Sequence, residues 1–259
     1  MKIIHTTALT DQQKNQVRSL VEICKQKEPV SLSAPSEDGL DYFLAYDHED
    51  SLAGFLFLYF TDDQICECTA FTAPDHRKQG VFTKLLNMAL DAADAYEKEE
   101  KTQVDFCFLI DENTPSAMAV MELLEAEYWY SEYKMARACR PEDRNYLSDL
   151  QILEKQDAET GANIYEASVA GTVIGSCGVL PFEKEDYFFH FEIREDYRGK
   201  GYGKKFLLAM LSLLYKEGNQ VTLQVSGQNF IARKLYKKTG FQTVETLSYY
   251  RYSTINNHF

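Results

Sequence analysis

The sequence predicts an α/β (α+β) protein of two tandem domains, each a mixed, mostly antiparallel sheet flanked by helices. Three observations carry that expectation. Apolar runs of strand length alternate with segments whose apolar residues recur at helical spacing. The order of these elements (strands, a glycine-bearing turn, a helix, a strand, a short helix, a strand) occurs twice, with Arg77 and Arg198 at matching places 121 positions apart. A chain of 259 residues with 45% hydrophobic content can bury two cores of ordinary size. The expected domains are residues 1–140 and 146–259, joined by a linker at about 138–147 that contains Pro141.

In the first half, Asp11 to Lys27 reads as an amphipathic helix with Val17, Leu20, Val21 and Cys24 on one face and Thr10 or Asp11 as its N-cap. Pro29 to Gly39 reads as a loop. Tyr42 to Tyr46, Ser51 to Phe60 and Ile65 to Thr72 read as consecutive strands, joined by turns at Asp47-His48-Glu49-Asp50 and Thr61-Asp62-Asp63. A turn through Arg77 and Gly80, a helix from Thr83 to about Tyr96, a strand at Val104 to Ile110, a helix from about Pro115 to Glu125 and a strand near Tyr128 to Ala138 complete the unit.

In the second half, strands are expected at roughly 149–155, 163–169 and 172–180, with no convincing amphipathic helix among them. The aromatic run Tyr187 to Ile193 has strand character. It leads through Arg198-Gly199-Lys200-Gly201-Tyr202-Gly203 into a helix carrying Phe206, Leu207, Met210, Leu213 and Leu214, which Gly218-Asn219 stops. A glycine-rich turn at a helix start points several backbone N–H groups at one place and suits phosphate. Arg198, Lys200, Lys204 and Lys205 add positive charge there.

Several readings of such a turn compete. A dinucleotide-binding turn needs G-x-G-x-x-G, whereas these glycines run G-x-G-x-G. A P-loop needs G-x-x-x-x-G-K-[ST], which the turn does not meet. A helix start with permissive glycines and no ligand is the plain alternative. The pattern [QR]-x-x-G-x-[GA] of an acyl-CoA pyrophosphate turn is met by Arg198, Gly201 and Gly203.

Downstream, a strand at 221–225 and a short helix with Asn229, Ala232, Leu235 and Tyr236 lead to Gly240-Phe241 and another strand. Here the chain resembles the GCN5-related N-acetyltransferase (GNAT) family. Arg198-x-x-Gly201-x-Gly203 is similar to its motif A, and Asn229-x-x-Ala232-x-x-Leu235-Tyr236-x-x-x-Gly240-Phe241 to its motif B. The resemblance covers roughly 187 to 245. In the first half Arg77-x-x-Gly80 is kept but Phe82 replaces the last glycine; Ser116 to Tyr128 is taken as the motif B counterpart, aligning Leu123 with Tyr236 and Glu127 with Gly240.

The resemblance implies transfer of an acetyl group from acetyl-CoA, as co-substrate, directly to a primary amine of a small molecule, peptide or protein. The second half is the expected active one. It implies cofactor contacts at Ile193, Arg198, Gly199, Lys200, Gly201, Tyr202, Gly203, Lys204 and Asn229, and a general acid at Tyr236. Strand alternation would place Phe188, His190 and Glu192 on one face. That makes His190, with an intrinsic pKa near 6.5, and Glu192, if burial raises its pKa, the candidate bases. Gln224 stands where some relatives carry an acid. The alternative function is a CoA-binding regulatory or protein-interaction module without turnover.

Charge sorts the halves. Residues 146–259 carry 13 basic and 13 acidic residues, so the whole formal charge of −13 falls on residues 1–145. A neutral half with a lysine-rich turn is the better host for polyanionic CoA, and an acidic neighbour favours a cationic acceptor. A nucleic-acid partner is disfavoured for want of a basic surface. The six cysteines lack metal or CxxC spacing, so no metal is expected and the thiols read as reduced. The longest apolar run, Ala53 to Phe60, is strand length, and the start lacks a signal-peptide core. A cytoplasmic monomer or homodimer with no membrane partner is expected.

Overall fold

The computed structural model describes residues 1–35, 40–61, 64–157 and 161–253. The expected turn residues Asp62 and Asp63 and the end of the Pro29–Gly39 loop lie outside the described residues. The chain divides into two compact units, Met1–Ser131 with Leu247–Phe259, and Glu132–Thr246. Residues 132–145, expected to close the first domain and link it onward, thus belong to the second, and the last residues belong to the first.

The first unit runs β1 (Lys2–Thr6), α1 (Asp11–Lys27), β2 (Asp41–Tyr46), β3 (Leu52–Phe60), β4 (Ile65–Thr72), a 3₁₀ turn (Pro74–His76), α2 (Val81–Glu100), β5 (Asp105–Asp111), α3 (Pro115–Leu123) and the start of β6 (Glu127–Ala138). Its strands lie in the order β1-β2-β3-β4-β5, all antiparallel except β4 with β5, and Leu247 to Arg251 pair with Asp111 to Cys107. Helix α1 spans the expected residues because Thr10 and Gln13 cap its first turn reciprocally. Leu20 and Val21 pack with Tyr42, Leu44 and Phe55, while Leu85 and Ala89 of α2 pack with Phe43, Leu56 and Cys68. Strand β1 escaped the sequence reading: five residues, none of them fully buried, offer too short a pattern, and pairing with β2 fixes it.

The second unit continues β6 from Glu132, then a 3₁₀ turn (Pro141–Asn145), β7 (Gln151–Gln156), β8 (Asn163–Val169), β9 (Thr172–Pro181), β10 (Glu185–Ile193), a 3₁₀ turn (Glu195–Tyr197), α4 (Tyr202–Leu213), β11 (Gln220–Ser226), α5 (Phe230–Lys238) and β12 (Gln242–Arg251, of which the unit holds the part up to Thr246). The order is β6-β11-β10-β9-β8-β7, again antiparallel except for one parallel pair, β10 with β11. Strand β7 passes to β8 as an antiparallel neighbour, with Gln156 opposite Asn163, and among the described residues this unit has no counterpart of α1. Its core is Phe188, Phe206, Met210, Val221 and Leu223. Burying a side chain of that size contributes roughly 1.5–3 kcal/mol.

All six cysteines are free thiols. No helix among the described residues is long and apolar enough to cross a membrane.

Candidate active site

Strands β10 and β11 pair in parallel only from Glu185–Gln220 to Phe188–Leu223 and then part. Where they part, β10 bulges: Phe189 lies opposite Gly178, but Glu192, three residues on, lies opposite Ser176, two residues back. The extra residue is His190, at φ +47°. Glycine on β9 permits this, because the Phe189 ring occupies the space a side chain at 178 would take. The bulge overturns the expected face of Phe188, His190 and Glu192. Phe188 and Ile193 are buried and Phe191 packs against their core, whereas Glu192 lies exposed on the opposite face, accepting a hydrogen bond from Ser176 Oγ at 3.3 Å. His190 is exposed at the bulge itself.

After Ile193 the chain tightens into the Glu195–Tyr197 turn, held by Arg198 Nε donating to the Ile193 carbonyl at 2.7 Å. Gly199 and Gly201 then adopt φ +74° and +83°, with open space where a side chain would stand. Gly201 is the N-cap of α4, whose hydrogen-bond ladder begins only at Lys205 N to Gly201 O, 3.3 Å. The preceding first-turn amides have no acceptor within the helix. The turn is thus an open cradle with free amides at the positive end of a helix dipole, an arrangement that attracts anions. Gly203 lies against α5, where a Cβ would stand 3.6 Å from Leu235. Of the two expected cofactor lysines, Lys204 is exposed and Lys200 donates to the Asp196 carbonyl; Lys205, expected only to add charge, is paired with Asp149 at 2.7 Å.

Helix α5 supplies the other wall. Asn229 caps it by accepting from Ala232 N at 3.0 Å, so its side chain fixes the helix start. Tyr236 is buried among Phe191, Phe206 and Phe241, its ring 6.4 Å from that of Phe191. Burial pushes its phenol up to about 12. The far end of α5 is clasped by Arg137, which donates through Nε to the Thr239 carbonyl at 2.7 Å and forks onto Asp143 at 2.7 and 2.6 Å. Burial alone would raise the Asp143 carboxyl; the hydrogen bonds from Arg137 and from the Arg140 amide outweigh it and hold it below the usual range.

The sequence reading missed Glu132. On β6 it lies opposite Ser226, next to Lys134 opposite Gln224, and Tyr187 donates to Gln224 Oε1 at 3.2 Å. Tyr187, Phe189, Glu192, Gln224 and Glu132 therefore share the face turned away from Tyr236. Burial pushes the Glu132 carboxyl up, and burial, with a smaller push from the Glu132 charge, raises Tyr187. A carboxylate thus stands on the strand beside Gln224, diagonal to it, a placement that only the strand order reveals.

The first unit repeats this geometry closely. Strands β4 and β5 also pair over four residues, Ile65–Asp105 to Cys68–Phe108, and part. Arg77 Nε donates to the Thr72 carbonyl, and Gly80 at φ +75° caps α2. Strand β4 pairs with β3 without a bulge, however, Lys78 stands at the place of Gly199, and Phe82 at that of Gly203. The expected alignment of α3 needs correction. Thr114 holds the N-cap position of α3 as Asn229 does that of α5, though only the Asn229 side chain accepts from its helix; Ala126 N donates to Met121 O as Phe241 N does to Tyr236 O, both at 3.0 Å. Glu125 at φ +51° matches Gly240 at φ +94°. Met121, not Leu123, holds the place of Tyr236, and Glu125, not Glu127, that of Gly240.

The sequence profile described as the acetyltransferase (GNAT) family matches residues 12–117 and 120–241. An uncharacterized N-acetyltransferase of Bacillus subtilis, YycN, is 38% identical over 66 residues, 25% of this chain and 42% of that protein. The chain thus matches less than half the length of that curated relative. Among solved structures, a tandem GNAT protein from the clavulanic acid biosynthesis pathway has a TM-score of 0.73 at 12% identity, over 99% of both chains. A GCN5-related N-acetyltransferase from Sphaerobacter thermophilus has a TM-score of 0.71 at 13% identity, over 96% of this chain and 95% of that one. At such identities these structures show a shared fold, and the two matched segments agree with the repeated geometry.

Proposed function

Because the chain belongs to the acetyltransferase (GNAT) family, we propose that its second unit transfers an acetyl group from acetyl-CoA directly to a primary amine of a cationic acceptor. The observation that carries this reading is the cradle at Gly199–Gly203, opening beside a bulged strand with Tyr236 on one side and a carboxylate face on the other. In this reading the first-turn amides of α4, with Arg198 and Lys204, hold the pyrophosphate. Asn229 holds the start of α5 in place.

The chemistry divides between the two faces. The acceptor arrives as an ammonium and must lose one proton before attack, then a second as the N–C bond forms and the C–S bond breaks; the departing thiolate takes up a proton. The nucleophile approaches the acyl carbon from one side and the thiolate departs from another, which suits acids and bases on opposite faces. Glu132, Glu192 and His190 are the groups available to attract the ammonium and pass its proton to water. Tyr236 keeps its proton through the neutral range because burial raises it to about 12. It is then roughly three pH units less acidic than an ordinary thiol, so it serves by donating a hydrogen bond to the developing thiolate.

Release of CoA thiol in the presence of a panel of amines tests the proposal. Acetyl-CoA-dependent release with a polyamine or a lysine-rich peptide is expected. Tight binding of acetyl-CoA without release for any amine would leave a binding module instead.

A further inference from the structure

The first unit contains a cavity of about 400 Å³ that none of the proposed chemistry uses. It lies where β4 and β5 part, with apolar walls that include Val30, Leu32, Ala70, Phe82, Phe108 and Met121. At its rim sits a carboxylate-binding arrangement already filled by the chain itself. Glu28, the C-cap of α1, accepts from Arg77 Nη2 at 2.6 Å, from Ser116 Oγ at 2.6 Å and from Ser116 N at 3.2 Å, in the first turn of α3. These are the partners a free carboxylate seeks: a guanidinium, a hydroxyl and a helix-start amide. The segment after Glu28 is strapped over the cavity by two further contacts. Thr114 Oγ1 donates to the Pro29 carbonyl at 2.6 Å, and Ser31 donates to Asp111 through both N and Oγ.

The geometry points to a binding site for a small apolar carboxylic acid, whose carboxylate takes the place of Glu28 on Arg77 and Ser116 while its hydrocarbon body fills the cavity. Several features distinguish this site from the cradle of the second unit. Phe82 stands at the place of Gly203, Lys78 replaces Gly199, and the rim arginine is held by an internal acid that Arg198 lacks among the described residues. Glu28 then acts as a competing ligand in cis. Apparent affinity is the intrinsic affinity multiplied by the fraction of time the clasp is open, so removing the competing charge must tighten binding.

Isothermal titration of the full chain with octanoate, octylamine and 1-octanol tests this. Octanoate is expected to bind one site per chain, with the amine and the alcohol at least tenfold weaker. Glu28→Gln, which keeps the shape and the contact with Ser116, should tighten octanoate at least tenfold, and Arg77→Gln should weaken it by a similar factor. Equal binding of octanol or octylamine would overturn the proposal, as would unchanged octanoate affinity in Glu28→Gln, a variant whose folding is checked by its melting curve. It also fails if Gly201→Glu protein still binds acetyl-CoA and octanoate competes for it, since the cavity would then be a second cofactor site.

Discussion

The turns Arg77–Phe82 and Arg198–Gly203 share a backbone course but use it differently. In each, an arginine donates to the last carbonyl of the preceding strand and a left-handed glycine caps the following helix. In the first, Phe82 leans toward Phe108, with ring centroids 6.3 Å apart, and the arginine is tied to Glu28. In the second, Gly199 takes the place of Lys78 and Gly203 that of Phe82, the space over Gly199 and Gly201 is open (as it is over Gly80), and β10 carries a bulge that β4 lacks. A duplicated scaffold therefore does not imply a duplicated site. Backbone geometry survives with few constraints, whereas a ligand site also needs the space over it to stay empty.

The largest effect should come from filling that space. Gly201→Glu puts a side chain and a negative charge where the pyrophosphate must approach, at a φ that side chains rarely adopt. Acetyl-CoA binding should be lost by calorimetry, while Gly80→Glu leaves it within about threefold, a factor that corresponds to less than 1 kcal/mol. If the Gly80 change alone removes binding, the roles of the two units are reversed.

Next in size is the hydroxyl that only the second unit has. Tyr236→Phe should lower kcat roughly 10- to 1000-fold with acetyl-CoA affinity little changed, as for a group that acts mainly in the transition state. Unchanged turnover would make Tyr236 a core residue like its counterpart Met121.

How much of this was legible beforehand follows the physics of each signal. The cradle was readable, because glycine at Gly199 and Gly201 answers to backbone conformation, a local property. Helix α1 was readable to the residue through its cap. The face of His190 and Glu192 was not, since a bulge breaks the period of two and depends on Gly178 of a neighbouring strand. The register of α3 was also missed: the hydrogen bond from Ala126 N to Met121 O defines the helix end, and no motif residue marks it. Glu132 and the Arg137–Asp143 clasp join residues from different elements, so sequence spacing carries no trace of them.

A third prediction uses Glu132. A carboxylate must be ionised to hold an ammonium, and burial raises the Glu132 pKa, so kcat/KM should fall as pH drops through a value above the ordinary carboxylate range. Glu132→Gln should raise KM for the amine about tenfold, the scale of one lost charge-assisted hydrogen bond, and abolish that limb of the profile. A limb that persists in the variant would assign it to His190, Glu192 or the substrate.

The smallest expected effect separates attraction at a distance from contact. Glu132 and Glu192 lie on one face of the second unit without a basic partner forming an ion pair with either among the described residues. A cationic amine should be drawn to that face and an anionic one repelled. The Debye length falls from about 30 Å at 0.01 M salt to about 10 Å at 0.1 M. Steering should weaken over that range, lowering kcat/KM for the true acceptor by about threefold, mostly through KM. Contact with Glu132 itself is short-ranged and partly buried, so salt should leave the pH limb in place. A best acceptor that is neutral or anionic, with kinetics indifferent to salt, would remove the cationic acceptor from the proposal and leave the cradle and Tyr236 to be judged by the first two predictions alone.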